Sequence, residues 1–317
     1  MNEASTKHNV ENSSKSTAQA VAENCVLVNL TICQFDVHRK DSRISKEVAD
    51  SNSVKDQKLC RVRKSLLPKT AQLQEVHSIA QKARMFHYEN THAWMFDGPR
   101  ILMTSNFEAY SKKIREFEKE FQTAVNALVD NYETMKDQAK VLLGSLYNEK
   151  DYPQKDSLKK YFSFKMKIQP LPASSSLLNI KFEGEDQDAL RAELEADMAE
   201  TFQKANKRLW QNLFEKLEKL YLKLQDEEAT VRESTLKAVK ELVDLLPQIN
   251  ITKDPKLEEL ALQLKSSLDG LSHTSLNTNP EVRKKTTEQA NKIFNVMQSY
   301  MHSNKKEPVL DEIKRAA

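Results

Sequence analysis

Residues 107–146 read FEAYSKKIREFEKEFQTAVNALVDNYETMKDQAKVLLGSL. Apolar side chains recur at Phe107, Tyr110, Ile114, Phe117, Phe121, Ala124, Leu128, Tyr132, Met135, Ala139, Leu142 and Leu146. The spacing alternates between three and four, the mark of a helical heptad seam, with one slip at Leu128–Tyr132. At a rise of ~1.5 Å per residue such a rod is on the order of 60 Å long. A second seam runs through Leu190, Leu194, Met198, Phe202, Ala205, Leu209, Leu213, Leu217, Leu220 and Leu224, and Trp210, Phe214 and Tyr221 widen its apolar face. Two stripes of matching length, each needing cover, predict a long antiparallel coiled-coil hairpin.

Between the rods the texture changes. Tyr161–Ile168 alternates between apolar and polar residues, Leu177–Phe182 is a second β-type run, and Pro153, Pro170, Pro172 and Gly184 punctuate the stretch. Prolines are excluded from the middle of a sheet, so they mark connections and a small β insert is expected. Upstream, VLVNLTICQFDVH (26–38) reads as a strand, a short helix is expected near Ser45–Ala49, and Lys69–Glu89 has one apolar helical face. Thr104 or Ser105 is the expected cap of the first rod. Downstream, Glu228–Leu246 reads as a helix ended by Pro247, and Asp254-Pro255 and Asn279-Pro280 each give a cap followed by proline at the first helical position. SHTSLNTNP between the last two helices reads as a loop.

The expected fold is therefore mainly α: a long antiparallel coiled-coil hairpin with a small β element and a C-terminal helical bundle. Its expected parts are a disordered N-terminal tail (1–24), a strand and helix segment (25–103), the hairpin (104–227) with its β insert at 150–184, the bundle (228–303), and a flexible tail (304–317).

Composition supports long elements. Of 317 residues 30% are charged, 7% are aromatic and only 4 are glycine, so tight turns are few. The net charge of +3 is near balance, whereas a dedicated nucleic-acid binder usually shows a strong basic excess or a basic face. Cys25, Cys33 and Cys60 form no CxxC pair, which fits free thiols in a reducing compartment. No apolar run approaches the ~18 residues of a membrane span. The N-terminus lacks the apolar core of a secretory signal.

The densest set of chemistry-bearing residues is MFHYENTHAWMFDGPR (85–100). His77 and His87 lie three helical turns apart, too far to share an ion, and no HExxH or HxH spacing occurs. Trp94, Asp97 and Arg100 surround an Asp-Gly turn, which reads first as a structural turn anchored by a buried Trp. The second reading is a docking surface of His87, His92, Trp94, Asp97 and Arg100, to which Trp210, Phe214 and Tyr221 add an aromatic face suited to a partner or to self-association. Arg39, Lys40, Arg43, Arg61, Arg63 and Lys64 form a basic stretch diluted by Asp41, Glu47, Asp50 and Asp56; solvated charge is the default, phosphate contact the alternative. Cys60 beside Arg61 has no identifiable base. P-loop, GxGxxG and GxSxG motifs are absent, so neither an enzyme nor a cofactor is expected.

Three stretches are similar to known sequences: VNLTICQFDVHRKDSRISKEVAD (28–50), ARMFHYENTHAW (83–94) with DGPRIL (97–102), and LGSLYNEKDYP (143–153). They resemble a family of uncharacterised proteins of tailed bacteriophages and integrative elements. Genes of that family often lie near a MoxR-type (CobS-like) AAA+ ATPase and a von Willebrand A-type protein. The resemblance runs roughly from Val26 to Tyr300 and carries no catalytic residues. ENTHAWMFDGPR departs from the family's acidic turn after the Trp, so no role of that turn's carboxylates carries over. It implies a phage or mobile-element protein acting in the host cytoplasm, with an AAA+ ATPase as a possible partner. The expected function is a non-enzymatic adaptor or structural subunit. The alternatives are a nucleic-acid-binding protein of phage replication or recombination, and an inhibitor of a host defence enzyme.

Overall fold

The computed structural model describes residues 24–95, 97–172 and 187–303, together with Val21. Most of the expected N-terminal tail, the C-terminal tail at 304–317 and the run Leu177–Phe182 lie outside the described residues. The described chain is mainly helical, with ten helices and a small antiparallel sheet. Among the described residues no helix is long and apolar enough to cross a membrane.

The chain divides into two compact units that interleave along the sequence. Unit 1 takes Met1–Val28, Asn90–Glu108 and Ile168–Ala317; unit 2 takes Asn29–Glu89 and Ala109–Lys167. Strand β1 (Cys25–Cys33) runs from the first into the second.

In unit 2, β2 (His38–Lys40) and β3 (Arg63–Ser65) pair antiparallel with Arg39 opposite Lys64. Between them α1 (Ser42–Ser51) starts where the Asp41 carboxylate accepts the backbone N–H of Ile44, satisfying a donor the first turn would leave orphaned. Helix α2 (Ala71–Asn90) begins at Thr70, whose hydroxyl accepts Leu73 N–H. The first seam forms α3 (Phe107–Asp130) and α4 (Tyr132–Leu143). The break at Asn131 falls at the slip in the heptad pattern. The four-residue step keeps both Leu128 and Tyr132 fully buried, and the helix gives up its continuity there. Thr104 and Ser105 lie in a 3₁₀ turn with no side-chain cap; Thr104 instead donates its hydroxyl to Asn24 O. The single turn α5 (Lys155–Leu158) follows the rod and buries Leu158.

In unit 1, β4 (His92–Ala93), β5 (Arg100–Met103) and residues 25–28 of β1 pair antiparallel, with Cys25 opposite Met103 and Val28 opposite Arg100. Strand β6 (Ser163–Pro170), whose first five residues belong to unit 2, follows β1 in the strand order β4-β5-β1-β6. The second seam is α6 (Gln187–Gln225), one unbroken helix of 39 residues. It is followed by α7 (Glu233–Ile249), α8 (Pro255–Leu268), the short α9 (His273–Thr278) and α10 (Pro280–Ser303). Asp254 caps α8 as expected. Two expectations fail. Helix α7 continues two residues past Pro247: the ring forfeits the one bond its N–H would have made to Val243 O, and the final turn still closes with Asn250 N–H on Leu246 O at 3.0 Å. The expected loop SHTSLNTNP contains α9, started by a reciprocal Ser272–Ser275 capping box.

The two seams belong to different units, and each finds cover within its own, so the expected hairpin is not required to bury either. In unit 2 the seam residues from Tyr110 through Ala139 are buried. Phe86 of α2 lies against Tyr110 and Phe117, and Phe162 and Phe164 lie against Phe121. In unit 1, Met198, Phe202 and Ala205 of α6 join a core with Leu27, Trp94 and Ile101, while Leu209 through Leu224 join a larger core with α7, α8 and α10. A face widened by Trp210, Phe214 and Tyr221 needs more than one covering helix, and the bundle supplies three. The side chains of Leu190 and Leu194 lie outside the description.

Candidate functional site

The residues of the 87–100 window turn mostly inward. His87 on α2 is buried, with Nδ1 2.7 Å from the Tyr110 hydroxyl. In unit 1, Arg100 donates from Nε to Thr91 Oγ1 and from Nη2 to Thr91 O, each at 2.7 Å. His92 is buried, and its Nε2 lies 2.5 Å from Ile249 O. A carbonyl only accepts, so that bond fixes the ring proton on Nε2. Burial pushes the His92 pKa down to about 4, with Arg100 and Arg208 adding to the effect and the Ile249 bond opposing it. Trp94 is buried, its ring centroid 6.4 Å from that of Phe202. Of this window's candidates only Asp97 is exposed, at a turn where Gly98 holds a φ of 108°, a conformation few other residues adopt. His92, Trp94 and the α6 residues Thr201, Lys204 and Arg208 line an open cleft of about 270 Å³, in which Lys204 pairs with Glu200 at 2.7 Å.

The aromatic face of α6 is likewise spent inside. Trp210 Nε1 donates to Asp254 Oδ2 at 2.9 Å, and its ring stacks on Tyr300 with centroids 4.2 Å apart. Phe214 and Tyr221 both stack on Phe294 of α10. The face does exceed what one helix covers, and the chain itself provides the rest. Asp254 also accepts from Asn206 Nδ2, while Asn206 Oδ1 is buried with no hydrogen-bond partner among the described residues.

The basic candidates divide differently. Arg39, Lys40, Arg43, Arg61 and Arg63 are exposed. Arg43 pairs with Glu47 at 2.9 Å and Arg63 with Asp36 at 3.4 Å. The backbone N–H of His38, followed by the nearby Arg63 and His38 charges, holds the Asp36 carboxyl below the usual range. Lys64 overturns the expectation of solvated charge: its side chain is only 8% exposed, with Nζ 2.8 Å from Asp151, 3.5 Å from Asp41 and donating to Leu146 O at 2.6 Å. It anchors the ribbon rather than offering charge to a ligand. Its chief partner, Asp151, lies far along the chain, so no local pattern marks the pair.

The end of α4 escapes the periodic reading. Leu142 belongs to the first seam, yet Val141 is 82% exposed and Leu142 72% exposed. The signal lies in the sequence: Val141, Leu142 and Leu143 are consecutive, and three consecutive apolar residues on a helix cannot all face one core. Gly144, at φ 51°, ends the helix directly after them.

Among the described residues no three His, Cys, Asp or Glu side chains gather as a metal site requires. Compared with protein families, curated proteins and solved structures, the chain matches none.

Proposed function

We propose that the protein works by binding other proteins, as a non-catalytic adaptor or structural subunit, and that the end of α4 is a contact surface. The observation behind this reading is the bare end of an otherwise covered seam. Val141 and Leu142 lie side by side in solvent while Tyr132, Met135 and Ala139 of the same helix are buried. Covering one leucine side chain releases roughly 1.5–3 kcal/mol, so two adjacent apolar side chains form a useful anchor for a partner. The resemblance to the phage and integrative-element family favours an AAA+ ATPase as that partner and the host cytoplasm as the place of action.

The test is co-purification of the tagged chain from cells that carry it, comparing the natural sequence with a Val141→Lys, Leu142→Lys variant by quantitative mass spectrometry. A defined set of proteins, an AAA+ ATPase among them, is expected to drop at least tenfold in the variant while thermal melting is unchanged. Recovery of the same proteins with both chains removes α4 as the contact.

A further inference from the structure

We infer that the β2–β3 ribbon of unit 2 is a binding surface for the sugar-phosphate backbone of nucleic acid, separate from the α4 contact and read without regard to base sequence. The sequence presents two short basic runs, 39–43 and 61–64, separated by acidic residues. The fold brings them together. The antiparallel register sets Arg39 opposite Lys64 and Lys40 opposite Arg63. Side chains alternate across a strand pair, so His38, Lys40 and Arg63 share one face and Arg39 shares the other with Lys64. The buried Lys64, held by Asp151 and Asp41, seats the ribbon from below, while Arg39 ends in solvent.

The acidic residues that dilute the pattern are engaged locally. Asp41 pairs with Lys64 and caps α1, Glu47 pairs with Arg43, and Asp36 pairs with Arg63. Asp50 accepts from the Gln57 side chain and Asp56 from Lys58 N–H. The surplus is cationic: Arg39, Lys40, Lys46, Lys55, Lys58 and Arg61 have no carboxylate within ion-pair distance among the described residues. The same bias holds for the whole unit, which carries 24 Lys and Arg against 16 Asp and Glu, while the rest of the chain carries 25 against 30. A near-neutral total therefore conceals a basic half, whose field steers a polyanion to one unit.

The ribbon's surface also sets the class of ligand. Its strand residues are His38, Arg39, Lys40, Arg63, Lys64 and Ser65, with no Phe, Tyr or Trp ring to stack on a base and no apolar side chain to enter a bilayer. Guanidinium and ammonium groups without such companions contact phosphate oxygens, which position a duplex and carry no sequence information. Three contacts, from Arg39, Lys40 and Arg61, give a slope of about −2.7 for log affinity against log salt, roughly a 40-fold weakening between about 50 and 200 mM.

The test uses the full chain and a labelled duplex of about 20 base pairs, followed by fluorescence anisotropy from about 50 mM salt upward. The natural protein is expected to bind with that slope. Arg39→Glu, Lys40→Glu, Arg61→Glu should weaken binding at least tenfold. The same charge change on unit 1, Lys237→Glu, Lys284→Glu, Lys285→Glu, should shift it less than threefold. If the triple ribbon variant melts early, the milder Arg39→Gln, Lys40→Gln replaces it and should lower the slope by about two. No binding at low salt, or equal losses in the ribbon and control variants, overturns the inference. So does retention on phosphatidylserine vesicles without binding to the duplex.

Discussion

The two heptad seams are equally legible in the sequence and end in opposite conditions. From Met198 onward the seam on α6 is covered through Leu224, first by the sheet core and then by α7, α8 and α10. The seam on α3 and α4 is covered through Ala139 and then emerges, leaving Leu142 in solvent. Spacing shows which way a helix face must turn; it does not show what will cover that face or where the cover stops. That difference separates residues that hold the fold from residues available to a partner, and it can be tested position by position.

The largest effect is expected where the cover is complete. Leu213→Ala should cost about 3–4 kcal/mol in urea unfolding, since Leu213 is fully buried and its neighbours can close only part of the cavity. Leu142→Ala, the same chemistry on the other seam, should cost less than about 0.5 kcal/mol. Similar losses at both positions would erase the distinction.

Acid should reach the covered side next. The His92 pKa stands near 4 in the folded chain, below its ordinary value, so between these values the unfolded chain binds more protons than the folded one. Stability should therefore be complete above about pH 6.5 and should fall as pH drops toward 4, by up to roughly 3 kcal/mol. His92→Gln should flatten that dependence in denaturation curves taken across the window.

A smaller loss, about 2 kcal/mol, is expected for Lys64→Met, which leaves the partly buried Asp151 and Asp41 without their cation. Local charge alone would predict the same small effect for every cation of the ribbon. Lys40→Met, at an exposed position, should show no loss beyond about 0.5 kcal/mol. Chemical denaturation of the two variants separates an anchoring cation from an exposed one.

Much of the fold is readable because its signals are local. The cap and proline at Asp254-Pro255, the alternation that forms β6, and the slip at Leu128–Tyr132 that becomes the break at Asn131 all lie within a few residues. Strands β3, β4 and β5 have two to four residues each, too few to show a period, and they take their place only by pairing with distant segments. The site is less readable. His92, Trp94 and Arg100 read as candidates because their residue types suit interfaces, but whether such side chains face a partner or their own core depends on Ile249, Phe202 and Thr91. The basic ribbon is half visible: its residues can be named from the sequence, but their register and the burial of Lys64 cannot.

Whether the bare end of the first seam meets another protein is tested most directly by a photo-crosslinking residue placed at position 142, in cells that carry the chain. Position 262 is the control, because Leu262 is also exposed, at 68%. A discrete cross-linked species at 142 that is absent at 262 is the predicted result. No adduct at 142, or equal adducts at both positions, would contradict it.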